Sequence, residues 1–298
     1  MSLESGDGLL DFTEKLPGKS TVGDEERNNR IVNSSVACLA AFSIVYISVQ
    51  MVTALVGRYY LIFYKLFFFK VEFTTNDELY TLEAVRMTHS AGPFLCVAGG
   101  IVCLFIHKQN RKRPGILKIF WLWLGVHFLN FFCMEMVLIP IKENQGIYVT
   151  GASNLGKVAD YFYLEDFVKI IFAIVASVLM ILVGFIVSKG FIQLTNSTTH
   201  VYKAENRIIY LFQTVFLPYV ITSGIALIYF GDGSFIVNLT LVITLFIIIL
   251  SLFINGLKNK MIMIYRMPET GTINNKFLIA VVSGLIFIKL FLNNGIQF

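Results

Sequence analysis

Seven stretches of this chain are too long and too apolar to sit inside a water-soluble core. They cover residues 32–57, 85–106, 117–139, 166–188, 207–230, 235–257 and 276–293. Each has the length a helix needs to cross the hydrocarbon of a bilayer, the last being the shortest. In hydrocarbon only helices and closed barrels satisfy every backbone polar group, and runs of this length read as helices. The expected fold is therefore all-α: a polytopic membrane helix bundle of about seven transmembrane helices. Composition leaves little for anything else, since 56% of residues are hydrophobic and 14% are charged.

The segments between the runs set the expected organisation. Residues 1–30 mix both charge signs with Gly6, Gly8, Pro17, Gly18 and Gly23, which reads as a polar cytoplasmic tail, mobile and without a core. The first apolar run begins too late and runs too long for a cleaved signal peptide. Residues 31–298 read as one transmembrane domain. Within it, residues 58–73 are aromatic and basic and are interrupted by Lys65 and Lys70, so they are expected to lie in the membrane interface. Extension of the first span with snorkelling lysines is the other reading of this segment.

Net charge is +5, and its distribution matters more than its size. The basic residues crowd short loops beside the spans, most densely at Lys108, Arg111, Lys112 and Arg113 before Pro114. That placement marks topology and gives nucleic-acid binding no support. With the amino end in the cytoplasm, two thirds of the lysines and arginines fall inside, which predicts a carboxyl end outside. Arg58, Lys65 and Lys70 run against this bias. The turn at residues 231–234 is so short that the fifth and sixth spans are expected to be antiparallel neighbours. All four cysteines lie in apolar runs without CxxC spacing and read as free thiols.

Ionisable groups at membrane depth are the candidates for function. At about 1.5 Å of rise per residue, His89, Glu135 and Lys169 fall roughly 10 to 12 Å outward of the middle of their spans. Lys289 is also in an outer half, and Arg86 lies one turn further out than His89. These five residues predict an outward-facing polar vestibule, with Glu135 partnered by His89 or, second, by Arg86. Snorkelling to the headgroups remains the other reading, above all for the two lysines. His127 is near the middle of its span, with Asn130 and Met134 on the same helical face. It reads either as a histidine bonded to a neighbouring helix or as a relay or ligand group.

Two prolines mark expected kinks. Pro93 frees the carbonyl of His89 and Pro218 that of Thr214, unless a Ser or Thr side chain repairs the gap. Small residues at Gly92, Cys96 and Gly100, with Gly99 and Cys103 one row over, give the second span a flat side for close packing.

Motifs for chemistry are sparse. No two of the four histidines are four apart, so HExxH is absent, and there is no Walker A, GxGxxG or GxSxG pattern. His127 and Glu135 are too far apart along one helix to share an ion. No metal or cofactor is expected, and an enzyme is the least favoured class. Asn33, Asn196 and Asn238 begin N-x-S/T triplets, two on the expected cytoplasmic side and one in a span. His89, Ser90, Ala91, Gly92 and Pro93 resemble the alanine-glycine-proline segment that opens a span in intramembrane zinc metalloproteases. The catalytic histidine pair and glutamate of that family have no counterpart, so the resemblance implies at most a relative without the chemistry.

The sequence therefore predicts a multi-pass protein of the plasma (inner) membrane, in contact with lipid. It binds or transports a small solute or ion through the vestibule, or else serves as a non-catalytic scaffold for a membrane-protein partner.

Overall fold

The structure is a computed structural model describing residues 24–67, 70–73, 81–110, 115–145, 148–151, 153–195, 203–229, 235–258 and 272–297. Most of the expected tail (residues 1–23), the basic residues 111–113 with Pro114, Asn196 and the turn at 231–234 lie outside the described residues.

Eight helices dominate the described residues. They are α1 (Asp24–Tyr59), α2 (Leu82–Asn110), α3 (Leu117–Val137), α4 (Asn154–Tyr161), α5 (Asp166–Ile192), α6 (Ala204–Tyr229), α7 (Phe235–Lys258) and α8 (Asn275–Leu292). All but α4 are long and apolar enough to cross a membrane. The chain is thus all-α in its bulk and multi-pass in character, with seven such helices at the expected places.

The first helix begins earlier than the expected domain boundary. Residues 24–30 already belong to α1, and Asn29 and Arg30 are buried. The reason lies on α6: the Arg30 guanidinium sits 5.0 Å over the Tyr210 ring and donates to Gln213 Oε1 at 3.4 Å. A cation–π contact and a hydrogen bond draw the end of the charged tail into the bundle.

Beyond Tyr59 the described residues of this stretch, 60–67 and 70–73, are non-helical and form two short strands. α1 stops at Tyr59, Leu61 turns the chain with a left-handed φ of 59°, and β1 (Tyr64–Leu66) pairs antiparallel with β2 (Val71–Phe73). A third strand, β5 (Ile296–Gln297), adds to β1 through Lys65 opposite Gln297. Lys65 and Lys70 both lie over the Phe67 ring, at 5.0 and 5.3 Å. Aromatic and β-branched residues suit a pleated strand, and the carboxyl end supplies backbone partners that the sequence alone does not reveal. The pairing also shows that the first loop and the carboxyl end share one face of the bundle. At the other face Asn33 of α1 donates to Thr272 O and accepts from Asn274 N, just before α8. α1 and α8 therefore run in the same direction.

Packing follows the small residues. Gly100 of α2 and Gly125 of α3 face one another, and a Cβ on either would strike Leu129 or Leu104 at 2.7 to 2.8 Å. Gly92 abuts Val49 and Thr53 of α1, and Gly99 abuts Phe128, so the expected flat side of α2 serves two neighbours. α7 is adjacent to α6 as expected but packs its length mainly along α5. Gly184 permits this, because a Cβ there would lie 2.4 Å from Ile248 O. The four cysteines are free and buried.

Candidate functional site

Between α3 and α5 the chain forms a cap: β3 (Lys142–Gln145) pairs with β4 (Tyr148–Gly151), and α4 follows. Ser153 is the N-cap of α4, its hydroxyl accepting from Gly156 N at 3.0 Å and donating to Glu135 O at 3.1 Å. Such a hydroxyl satisfies one of the free amides at a helix start. The next residue, Asn154, reaches into the bundle.

Asn154 Nδ2 donates to Glu135 Oε1 at 3.0 Å, and Leu155 N donates to Glu135 Oε2 at 3.1 Å. The other end of the same amide, Oδ1, lies 3.0 Å from His89 Nδ1. A carboxylate only accepts, so Asn154 must turn its NH2 toward Glu135 and its oxygen toward His89. The proton on His89 then sits on Nδ1. Glu135 is 3% exposed and His89 7% exposed. The two residues expected to meet do converge, but through an amide on the cap.

Lys157, also on α4, is the cation whose field reaches both His89 and Glu135. The α4 N-terminus adds its own positive end to the carboxylate. At the far end of α4, Asp160 binds Lys169 Nζ at 2.6 Å, with Asp166 also 3.7 Å from that nitrogen. α4 is therefore fastened at both ends to buried ionisable groups of the bundle.

The remaining vestibule residues are elsewhere. Lys169 does not join Glu135, because Asp160 holds its ammonium at the other end of the cap. Arg86 is exposed, and its carbonyl accepts from Ser90 Oγ. Lys289 on α8 places its ammonium 4.9 Å over the Tyr229 ring, whose hydroxyl donates to Leu285 O. Equal height along the membrane normal does not imply proximity, since azimuth around each helix decides which groups meet.

His127 belongs to a different environment. Its Nε2 is 3.3 Å from Cys38 Sγ, and its ring stacks on Trp123 and meets Phe42 edge-on. It lines a cleft between α1, α3, α6 and α7. The reading as a histidine bonded to a neighbouring helix describes this contact. Asn130, on the same face, donates to Leu241 O of α7 at 3.1 Å.

The two prolines differ: an irregular turn precedes Pro218, whereas Pro93 lies inside an unbroken α-helix. Ahead of Pro218, residues Phe212–Phe216 widen into a π turn, and the carbonyl of Thr214 accepts from Ser34 Oγ at 2.6 Å. Trp123 Nε1 donates to that same hydroxyl at 3.0 Å. A serine from α1 thus repairs the gap, linking three helices. Pro93 is buried within α2, with Gly92 beside it pressed on α1, so the segment that resembles the protease motif serves helix packing.

Ser153, Asn154, Leu155, Lys157 and Asp160 were not among the sequence candidates. A Ser-Asn pair ahead of a short helical run is an N-cap signal. Among the described residues no group of three or more His, Cys, Asp or Glu side chains is placed to hold a metal ion. Comparison with known proteins adds no functional information: no family model, no curated protein and no solved structure matches this chain.

Proposed function

We propose that the chain is a multi-pass protein of the plasma membrane, amino end cytoplasmic and carboxyl end outside, that binds and passes a small solute or ion at the centre formed by His89, Asn154 and Glu135. The observation that carries the reading is the shared amide: one side chain of the cap holds the buried imidazole of α2 and the buried carboxylate of α3. With the cap seated, both oxygens of Glu135 are satisfied from within the chain. When the cap lifts, a carboxylate and an imidazole at membrane depth lose those partners, and a cation or a solute bearing N–H or O–H donors is what replaces them. Seating and lifting then alternate between internal and solute partners. The charge bias of the loops supports an outer location for this centre and its cap.

The test uses proteoliposomes of the full chain loaded with a pH-sensitive or sodium-sensitive dye and challenged with a gradient of either ion. Flux that disappears in Glu135→Gln at equal protein content supports the reading. Absence of flux in both, with Glu135→Gln merely lowering the amount of folded protein, favours a second reading as a scaffold for a membrane-protein partner. One observation favours that second reading: α8 buries none of its residues and presents Ile279, Ile286, Phe287 and Leu290 outward. Maleimide labelling of a cysteine introduced at Lys142, accessible only from outside the cell, tests the orientation.

A further inference from the structure

Among the described residues two side chains other than glycine have a left-handed backbone: Leu61 with a φ of 59° and Tyr163 with a φ of 51°. Both complete the same motif. Behind α1, Ile62 N donates to Gly57 O and Leu61 N to Arg58 O; behind α4, Leu164 N donates to Ala159 O and Tyr163 N to Asp160 O. This is the Schellman ending of a helix, and its left-handed position is ordinarily glycine, because a Cβ there is strained. A bulky residue at that position is an outlier, and a chain that keeps one twice needs a reason for it. Packing against the chain is not the reason, since Leu61 is 75% exposed and Tyr163 92% exposed. The next residue points the other way in each turn: Ile62 is buried, and Leu164 packs against the core. Each turn therefore pins one apolar side chain inward and holds its predecessor outward.

The two turns share one face of the bundle. Tyr60, beside Leu61, donates to Glu83 near the start of α2, and His89 of α2 meets Asn154 of the cap. Exposed apolar rows lead up to both turns, Met51 and Leu55 along α1 and Phe167, Ile170 and Ile174 along α5. Spaced three or four apart, each row is one helix face. On a helix that crosses a bilayer such a face meets acyl chains, and the level where it ends is the headgroup boundary, where amphipathic aromatic rings collect. We infer, resting on the membrane reading proposed above, that Leu61 and Tyr163 are lipid anchors, held by their strained turns in the headgroup boundary of the outer leaflet, and that Tyr163 docks the cap to the bilayer as well as to the bundle. The phenol of Tyr163 suits that boundary, with its ring toward acyl chains and its hydroxyl toward phosphate and ester oxygens. Arg58, exposed one turn before Leu61 and 5.8 Å over the Phe63 ring, supplies a cation for lipid phosphate at the other anchor. The occupant is a phospholipid surface because both turns continue the rows that face lipid.

The test places the full chain in phosphatidylcholine vesicles brominated either near the headgroup or at mid-chain, where bromine quenches an indole at its own depth. The reporters are Leu61→Trp and Tyr163→Trp, with Lys142→Trp at an exposed position of the cap as the water-facing control and Val178→Trp on the lipid-facing row of α5 as the hydrocarbon control. The signal of Trp121 and Trp123 in the parent is subtracted. Both anchors are expected to be quenched more by headgroup-level bromine than by mid-chain bromine, Val178→Trp the reverse, and Lys142→Trp by neither. Absence of headgroup-level quenching at either anchor, or equal quenching at Lys142→Trp, overturns the assignment while a quenched Val178→Trp leaves the membrane reading standing. No quenching at Val178→Trp overturns both. Because tryptophan itself favours an interface, the native side chain is tested by hydrogen exchange of the Leu155 amide, which donates to Glu135 beneath the cap, in lipid nanodiscs. Tyr163→Gly is expected to speed that exchange, even though glycine suits the turn better, and Tyr163→Phe, which keeps the ring, to match the parent. Relief of backbone strain alone slows it by about 5 to 30 times, so exchange in Tyr163→Gly equal to the parent or slower overturns the docking of the cap.

Discussion

Replacing Asn154 with leucine tests the central feature of the site, because it removes a shared amide while keeping a side chain of similar size. Two hydrogen bonds disappear, one to the Glu135 carboxylate and one to His89, each 3.0 Å long in the structure. A bond to a charged group contributes about 1.5 to 3 kcal/mol and a neutral one about 0.5 to 1.5 kcal/mol. The two sum to about 2 to 4.5 kcal/mol, which falls on the opening equilibrium of the cap, since α4 is otherwise held by Leu155 N, Ser153 Oγ and the Asp160 pair. At a factor of ten per 1.4 kcal/mol, local opening becomes about 30 to 1,600 times more frequent. Hydrogen exchange of the chain in nanodiscs reads this directly, because the Leu155 amide is protected by the Glu135 carboxylate. The expected outcome is accelerated exchange confined to the cap, with α5 and α7 unchanged. If Asn154→Leu leaves Leu155 exchanging within about twofold of the parent, the amide is not what holds the cap. If all helices accelerate together, the residue stabilises the whole bundle and the cap is no separate unit.

Five further substitutions probe the packing and the cap. Ser34→Ala strands Trp123 Nε1 and Thr214 O together, and since bonds between membrane helices average about 0.6 kcal/mol and reach about 1.7 kcal/mol, a loss of about 1 to 3 kcal/mol is expected in SDS titration from mixed micelles. Gly184→Ala drives a methyl group onto the backbone of α7 and is expected to cost about 1 to 3 kcal/mol in the same assay, whereas Gly224→Ala, which meets nothing within 4 Å, leaves the midpoint unchanged or raises it. Lys169→Met and Asp160→Asn each remove one member of a 2.6 Å pair and should weaken cap protection in hydrogen exchange. The double variant is expected to lose less than the sum of the two, and additivity would refute direct coupling.

The seven spans were legible in the sequence because hydrocarbon imposes one rule on every residue of a crossing segment, and that rule needs no knowledge of neighbours. Glu135 and His89 were legible as candidates for the same reason: ionisable groups at that depth are rare enough to stand out. Their link through Asn154 was not, because rise along a helix can be computed from residue number while the docking of the cap onto two helices cannot. Lys169 and Lys289 illustrate the difference. One is bound by Asp160 of the cap and the other lies over Tyr229, and neither meets Glu135. The fate of residues 58–73 was likewise decided by a partner more than two hundred residues away, at Ile296 and Gln297. Sequence determined which segments leave water and which polar groups go with them. Only the tertiary structure decided which of those groups meet, because hydrogen bonds act over about 3 Å and the positions that bring donors to acceptors are set by packing between helices.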